Sequence, residues 1–167
     1  VLQYSSDYDD RLPPAYDALP PGGLASYWFP KLTDRLGVSR TEFIIGNGQG
    51  PERIFLCPST PERGKTGVDG AGNLSYGWNF RGLTLLDDTV SYGTTARLSD
   101  VSQPSRTIMA ADSNEWGDPS FYWAIAWWGY IPDCRHHGRA NGLFVDGHVE
   151  MLPRNELIVD TLYKIYK

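Results

Sequence analysis

The sequence predicts a single α+β domain, in which the end of one helix and a second helix precede a mostly antiparallel β-sheet that closes in a C-terminal Asp-Gly hairpin. Three observations predict it. Helical spacing of apolar residues is confined to the two ends of the chain. Between them lie short alternating or β-prone runs, cut by Gly, Pro and Asp turns. Strand–helix–strand alternation, internal repeats and low-complexity segments are all missing. With 167 residues, 41% of them hydrophobic, the whole of 1–167 suits one domain with a real core.

The elements follow in order. "VLQYSSDYDD" (1–10) reads as the end of a helix, with Leu2 and Ser5 or Ser6 one turn apart, although its acids oppose the dipole at a helix C-terminus. "RLPPAYDALPPGG" is loop, because its prolines remove backbone donors. In "SYWFPKLTDRLG", Trp28, Leu32 and Leu36 repeat every four residues, Ser26 is the expected N-cap, Pro30 fits only near the start and Gly37 closes the helix. "RIFLCP" (53–58) predicts a short buried strand. "LSYGWNF" (74–80) alternates Leu74, Tyr76, Trp78 and Phe80 on one strand face. "RTIMAAD" (106–112) is a strand introduced by Pro104, and the aromatic run "FYWAIAWWGY" (121–130) is read as strand. "ANGLFV" and "HVEML" flank Asp146-Gly147, a strong hairpin signal. The tail "NELIVDTLYKIY" predicts a short helix capped by Asn155.

Composition narrows the function. Fifteen Lys+Arg against 20 Asp+Glu give a net charge of −5, which argues against nucleic acid or an anionic membrane surface as partner. No run approaches the ~20 apolar residues of a membrane span. The chain opens without Met or a signal peptide, so removal of an upstream segment is expected. The two cysteines, Cys57 and Cys134, are too few to close a four-ligand zinc site by themselves. They read either as one disulfide or as two small buried thiols.

Chemistry concentrates in "RHHGRANGLFVDGHVE" (135–150), which holds all three histidines. A two-residue type I′ turn at Asp146-Gly147 would pair Val145 with His148, Phe144 with Val149 and Leu143 with Glu150. Phe144, Val149 and Met151 would then face the core, and His148 and Glu150 would lie on a half-exposed face. The bland reading makes Asp146 a turn residue whose carboxylate caps local N–H groups. The sharp reading is a metal site of His136, Asp146 and His148, perhaps joined by Asp112, since His and carboxylate suit zinc-like metals. Oxygen-rich loops at 111–118 and 87–93 offer a calcium alternative without an EF-hand pattern. No nucleophile elbow or phosphate-binding loop is present. Trp123, Trp127 and Trp128 read as core, as a subunit contact, or as a platform for sugar rings.

Taken together, these motifs resemble the prepilin-associated H-X9-DG domain, with nine residues between His136 and Asp146-Gly147. "LQYSSDYDDRLPP" (2–14) is similar to the segment that follows that family's apolar helix. "IFLCPST" (54–60) resembles its Cys-Pro-Ser step, "LSYGWN" (74–79) its Ser-Tyr-Gly-x-Asn strand, and "PSRTIMAADS" (104–113) its Pro-Ser-x-Thr strand ending in Asp-Ser. The ordered series spans residues 2 to about 152.

The resemblance implies a pilin-like fold and a non-enzymatic type IV pilin-like or type II secretion pseudopilin-like subunit. Such a subunit is held at the outer face of the inner membrane by a helix preceding residue 1 and assembles with other pilin-like subunits through that helix. The head alone is then expected to be a monomer without catalytic residues or a required cofactor. Calcium is the ion that some pseudopilins bind. His136, Asp146 and Gly147 carry over as structural motif residues, with His136 expected to bond Asp146 or a hairpin carbonyl. The family also implies a further partner for Cys57, a cysteine in the preceding helix. The competing expectations are an extracellular sugar-binding module using Trp123, Trp127 and Trp128, and a metal-dependent hydrolase around His136, Asp146 and His148.

Overall fold

The structure, a computed structural model, describes residues 1–15, 28–37, 54–59, 74–79, 83, 95–113, 124–125 and 132–159. It is α+β, and its organising element is a five-stranded sheet. The strands are β1 (Tyr76–Asn79), β2 (Ile108–Asp112), β3 (Ala124–Ile125), β4 (Arg139–Phe144) and β5 (Val149–Pro153). Their order is β3-β1-β2-β4-β5. Four strands pair antiparallel, and the two-residue β3 runs parallel to β1 at one edge. Helices α1 (Leu2–Asp7) and α2 (Pro30–Leu36), the short α3 (Arg154–Leu157) and two 3-10 helices (Leu98–Asp100 and Pro104–Arg106) complete the described regular structure.

The central strand β2 is buried along its whole length, as a strand covered on both faces must be. One face joins Trp28, Phe29 and Leu32 to Leu74 and Trp78, with Trp28 stacked on Trp78 at 5.4 Å. The other gathers Ile108, Ala111, Ile125, Phe144, Leu152 and Leu157. The pairing of β2 with β4 shifts between Ile108 and Ala110, and Met109 and Ala110 both join the first core. That is the effect of a bulge, which sets two residues opposite one. The Asn79 amide donates to the Ile108 carbonyl at 2.8 Å beside this irregularity, so a fully buried polar side chain is satisfied.

The N-terminal acids have specific partners. Asp9 and Asp10 take positive φ values of 54° and 64°, a region that Asp tolerates better than most residues. The Asp10 N–H returns to the Ser5 carbonyl at 2.9 Å. The Asp10 carboxylate accepts the Ser99 N–H, Asp9 meets Arg97 at 2.7 Å, and Asp7 meets Arg35 at 3.0 Å. Arg35 also lies over the rings of Tyr4 and Tyr8, which stack at 4.3 Å, and so latches α2 to α1.

Several expectations are corrected. Residues 54–59 form a tight turn and bends instead of a strand. Pro58 lacks a donor, and Phe55 accepts the Ser75 N–H at 2.8 Å. Helix α2 starts at Pro30, with Phe29 at the N-cap, so Ser26 does not cap it; Ser26 itself lies outside the described residues. Pro30 supplies the φ of a first helical residue, and Gly37 closes the helix in the left-handed conformation as expected. Leu36, assigned to the apolar stripe, is exposed. Helix α3 starts at Arg154 with Pro153 before it, so Asn155 lies inside the first turn and is not the cap. The helix ends at Leu157, so Ile158 and Val159, expected to continue it, lie past its end and are exposed; residues 160–166, and all of 121–130 except Ala124 and Ile125, lie outside the described residues.

The hairpin holds the largest correction. Leu143 pairs with Val149 and Gly142 with Glu150, one residue out of the expected register. The Gly147 N–H bonds the Phe144 carbonyl at 2.9 Å, and the Phe144 N–H bonds the His148 carbonyl at 2.9 Å. With Gly147 at φ 94°, Val145-Asp146-Gly147 is a three-residue loop with glycine in its left-handed position. Val145 is withdrawn from the ladder because its side chain is buried in the first core and its N–H donates to Thr107 at 3.0 Å. A one-residue slip turns every side chain over. Leu152 is therefore buried, whereas Val149 and Met151, expected in the core, are 64% and 46% exposed. The type I′ turn falls earlier: His136 and Arg139 exchange both backbone bonds around His137 and Gly138, whose φ values are 54° and 81°.

Replacement of Gly147 by Ala meets no close atom, so its cost is the left-handed backbone alone, about 1–2 kcal/mol. A Cβ at Gly142 would stand 2.9 Å from Ile108 Cδ1, and overpacking there is expected to cost about 1–3 kcal/mol. Urea unfolding of Gly147→Ala and Gly142→Ala checks both, with a lowered midpoint and an unchanged slope expected.

Candidate functional site

At the polar end of the sheet, four segments distant in sequence place Cys57, Tyr76, Asp112 and His136 together. Asp112 is the last residue of β2 and pairs with Tyr76, the first residue of β1. Its carboxylate is fully buried, and Oδ2 accepts the Asn141 N–H from β4 at 2.7 Å. The type I′ turn then directs His136 back toward it, with Nε2 3.3 Å from Asp112 Oδ2. The same nitrogen is 3.4 Å from Cys57 Sγ, carried on the turn before Pro58. Asp112 Oδ1 is buried without a hydrogen-bond partner among the described residues.

Tyr76 belongs to this environment. Burial pushes its phenol up to about 12, and the charges of Cys57 and Asp112 push the same way. Arg135, next to His136, is held by the Asp133 carboxylate at 2.8 Å and donates to the Ser113 carbonyl. Tyr76 and Asn141 also help to line a cavity of about 540 Å³ between α1, α2 and the sheet, whose other walls include Tyr4, Trp28, Trp78 and Leu143.

This geometry is not that of a nucleophile relay. A Cys–His–carboxylate relay holds the thiol at one ring nitrogen and the carboxylate at the other. Here both face Nε2, so the three groups converge on one volume, and their ligand atoms all lie within 4.8 Å of one another.

The residues predicted as one metal site separate into two pairs. His136 joins Asp112 at the start of β4. Asp146 and His148 lie beyond its far end, and a six-residue strand spans about 20 Å. There the His148 ring nitrogen meets Asp146 Oδ1 at 2.6 Å, Asp146 also accepts the His148 N–H, and the imidazole stacks on Phe144 at 4.3 Å. Asp146 is thus the expected turn residue, and His136 does not bond it. Cys57 and Cys134 are both free thiols, so the disulfide considered between them is not formed. Cys57 faces His136, whereas Cys134 packs on the other core. Trp123, Trp127 and Trp128, the 87–93 loop and most of 111–118 lie outside the described residues.

Sequence reasoning missed Cys57 and Tyr76 as companions of His136. A signal existed. The Cys-Pro-Ser, Ser-Tyr-Gly-x-Asn, Asp-Ser and H-X9-DG segments each contribute one side chain to the cluster. Compared with known proteins, the chain matches no sequence family, no curated protein and no solved structure.

The hydrogen bond from the His148 side chain holds the Asp146 carboxyl below its usual range. Its contribution to the turn is therefore complete above the unfolded carboxyl value of about 4 and is lost as pH falls through the lowered folded value. An NMR titration should show Asp146 protonating below that reference, and His148→Ala should move it back up toward the reference, with the backbone N–H of residue 148 still holding it down in part.

Proposed function

We propose that this chain is the globular head of a non-enzymatic pilin-like or pseudopilin-like subunit of a cell-envelope filament or secretion assembly. The observation that carries the reading is the arrangement behind the H-X9-DG spacing. His136 closes the turn that starts β4, and Asp146-Gly147 forms the turn that ends it. The nine intervening residues are the length of one strand with its entry and exit, so a single hairpin accounts for the motif without chemistry at Asp146 or Gly147. Helix α1 packed beside a mostly antiparallel sheet agrees with a pilin-like head, as Tyr4 shares a core with Trp78 and Val145.

In this reading the full-length subunit is anchored in the inner membrane by an apolar helix leading into α1. Its head faces the periplasm or the exterior, and its partners are other pilin-like subunits. No helix among the described residues is long and apolar enough to cross a membrane, and the anchor of this reading is the helix leading into α1.

The test is the full-length gene product. An apolar helix of about 20 residues should directly precede Val1. Coexpression with a prepilin peptidase should shorten the protein by a short leader, read by mass spectrometry of the membrane fraction. A gene product with no such helix, or one left uncut, removes the reading.

A further inference from the structure

We propose that Cys57, Asp112 and His136 bind one zinc-class divalent metal ion, with water completing its coordination. Tetrahedral zinc, with bonds of about 2.3 Å to sulfur and about 2.0 Å to nitrogen or oxygen, separates its S and N ligands by about 3.5 Å and its N and O ligands by about 3.3 Å. The observed separations are 3.4 Å for Cys57 Sγ to His136 Nε2 and 3.3 Å for His136 Nε2 to Asp112 Oδ2. Two of the three donor–donor separations thus match the edges of a coordination tetrahedron, and the three donor atoms, from three segments, all lie within 4.8 Å of one another.

Charge is the second argument. Asp112 is fully buried, Cys57 is buried, and a carboxylate out of water needs compensation. The Asn141 N–H serves one oxygen, and the other has no partner among the described residues. Hydrogen bonding by His136 cannot satisfy the group fully, because one Nε2 proton is shared by a carboxylate and a sulfur. A divalent cation bound by a thiolate, a carboxylate and a neutral imidazole makes the cluster neutral. It also uses the convergence that hydrogen bonding leaves unexplained.

The donor set selects the metal. Thiolate and imidazole favour zinc, cobalt or a similar borderline ion, whereas calcium and magnesium prefer oxygen alone. The Asn141 N–H holds the Asp112 carboxylate in its orientation toward the ion. The ion would tie the 54–59 turn to the ends of β2 and β4. This inference stands independently of the filament reading: the metal is tested on the head alone, and the filament on the full-length protein.

The experiment is a titration of chelator-stripped protein with Zn2+ against a chromophoric chelator, followed by Co2+ substitution. The expected result is one equivalent of Zn2+ bound more tightly than about 1 µM, unaffected by excess Ca2+. Co2+ should give tetrahedral d–d bands and a thiolate charge-transfer band. Cys57→Ser should abolish the charge-transfer band, and both Cys57→Ser and His136→Gln should weaken Zn2+ binding at least about tenfold. Cys134→Ser and Asp146→Asn should leave binding unchanged. If the ligand variants do not fold, zinc-edge X-ray absorption of the unmodified protein decides the matter, with one sulfur at about 2.3 Å and the remaining ligands at about 2.0 Å expected. Failure to bind Zn2+ at that affinity, a zinc shell without sulfur, or binding indifferent to both substitutions overturns the proposal.

Discussion

The buried carboxylate of Asp112 is the constraint on which this end of the molecule depends. It sits at the last residue of the central strand, with protein on every side, and a charge in that position must be met by fixed partners. Two neighbouring features supply partners to Oδ2, and a third sets Cys57 beside the same imidazole. Strand β4 enters the sheet where Asn141 can donate its N–H to Oδ2. The type I′ turn at His137-Gly138 brings the imidazole of His136 within reach. The 54–59 turn carries Cys57 to the same ring nitrogen, and Phe55 in that turn accepts a backbone bond from Ser75, just before β1. Four separate stretches of chain are thus positioned around one group.

The two turns that bound β4 divide the labour. The first is tight and needs positive φ at both central residues, which a histidine and a glycine supply. It therefore fixes where His136 points. The second spreads over three residues, because Val145 is committed to the core and to Thr107 before the chain reverses. That commitment sets the register of β5, and the register sets which face is wet. His148 stacks on Phe144 and pairs with Asp146, a local arrangement complete within the loop. The two clusters, one buried and one exposed, share a strand but no contact. A single strand thus joins two polar sites of different character, and only the buried one has converging ligand atoms.

The N-terminal region shows the same economy. Acids that oppose the dipole of α1 are turned outward by two left-handed aspartates and taken up by Arg35, Arg97 and the Ser99 N–H. Leu12 then donates to Ala96 at 2.9 Å, and Leu98 donates to Asp10 at the same distance. This pairing fastens the chain after α1 to the segment that precedes β2. The helix end is held by polar and backbone bonds on one side and by the Tyr4, Trp28 and Trp78 core on the other.

By itself, the sequence determined the features that rest on local chemistry. Alternation placed β1, the run after Pro104 placed β2, Pro30 and Gly37 bracketed α2, and Asp146-Gly147 marked the turn after β4, because backbone φ is set within a few residues. The antiparallel α+β class follows from the order of those elements. The features that only tertiary structure decided are those set by distant partners. Val145 is drawn to Thr107, and that shift exchanges Val149 and Met151 for Leu152 in the core. Residues 53–58 look like a strand, but among the described residues 54–58 the backbone meets Ser75 at Phe55 and forms no ladder. Asp112 and His136 were each visible as candidates, whereas Cys57 and Tyr76 became their companions only when the sheet closed. Side chains 19 to 79 residues apart meet through strand pairing, and no local spacing in a single chain encodes that encounter.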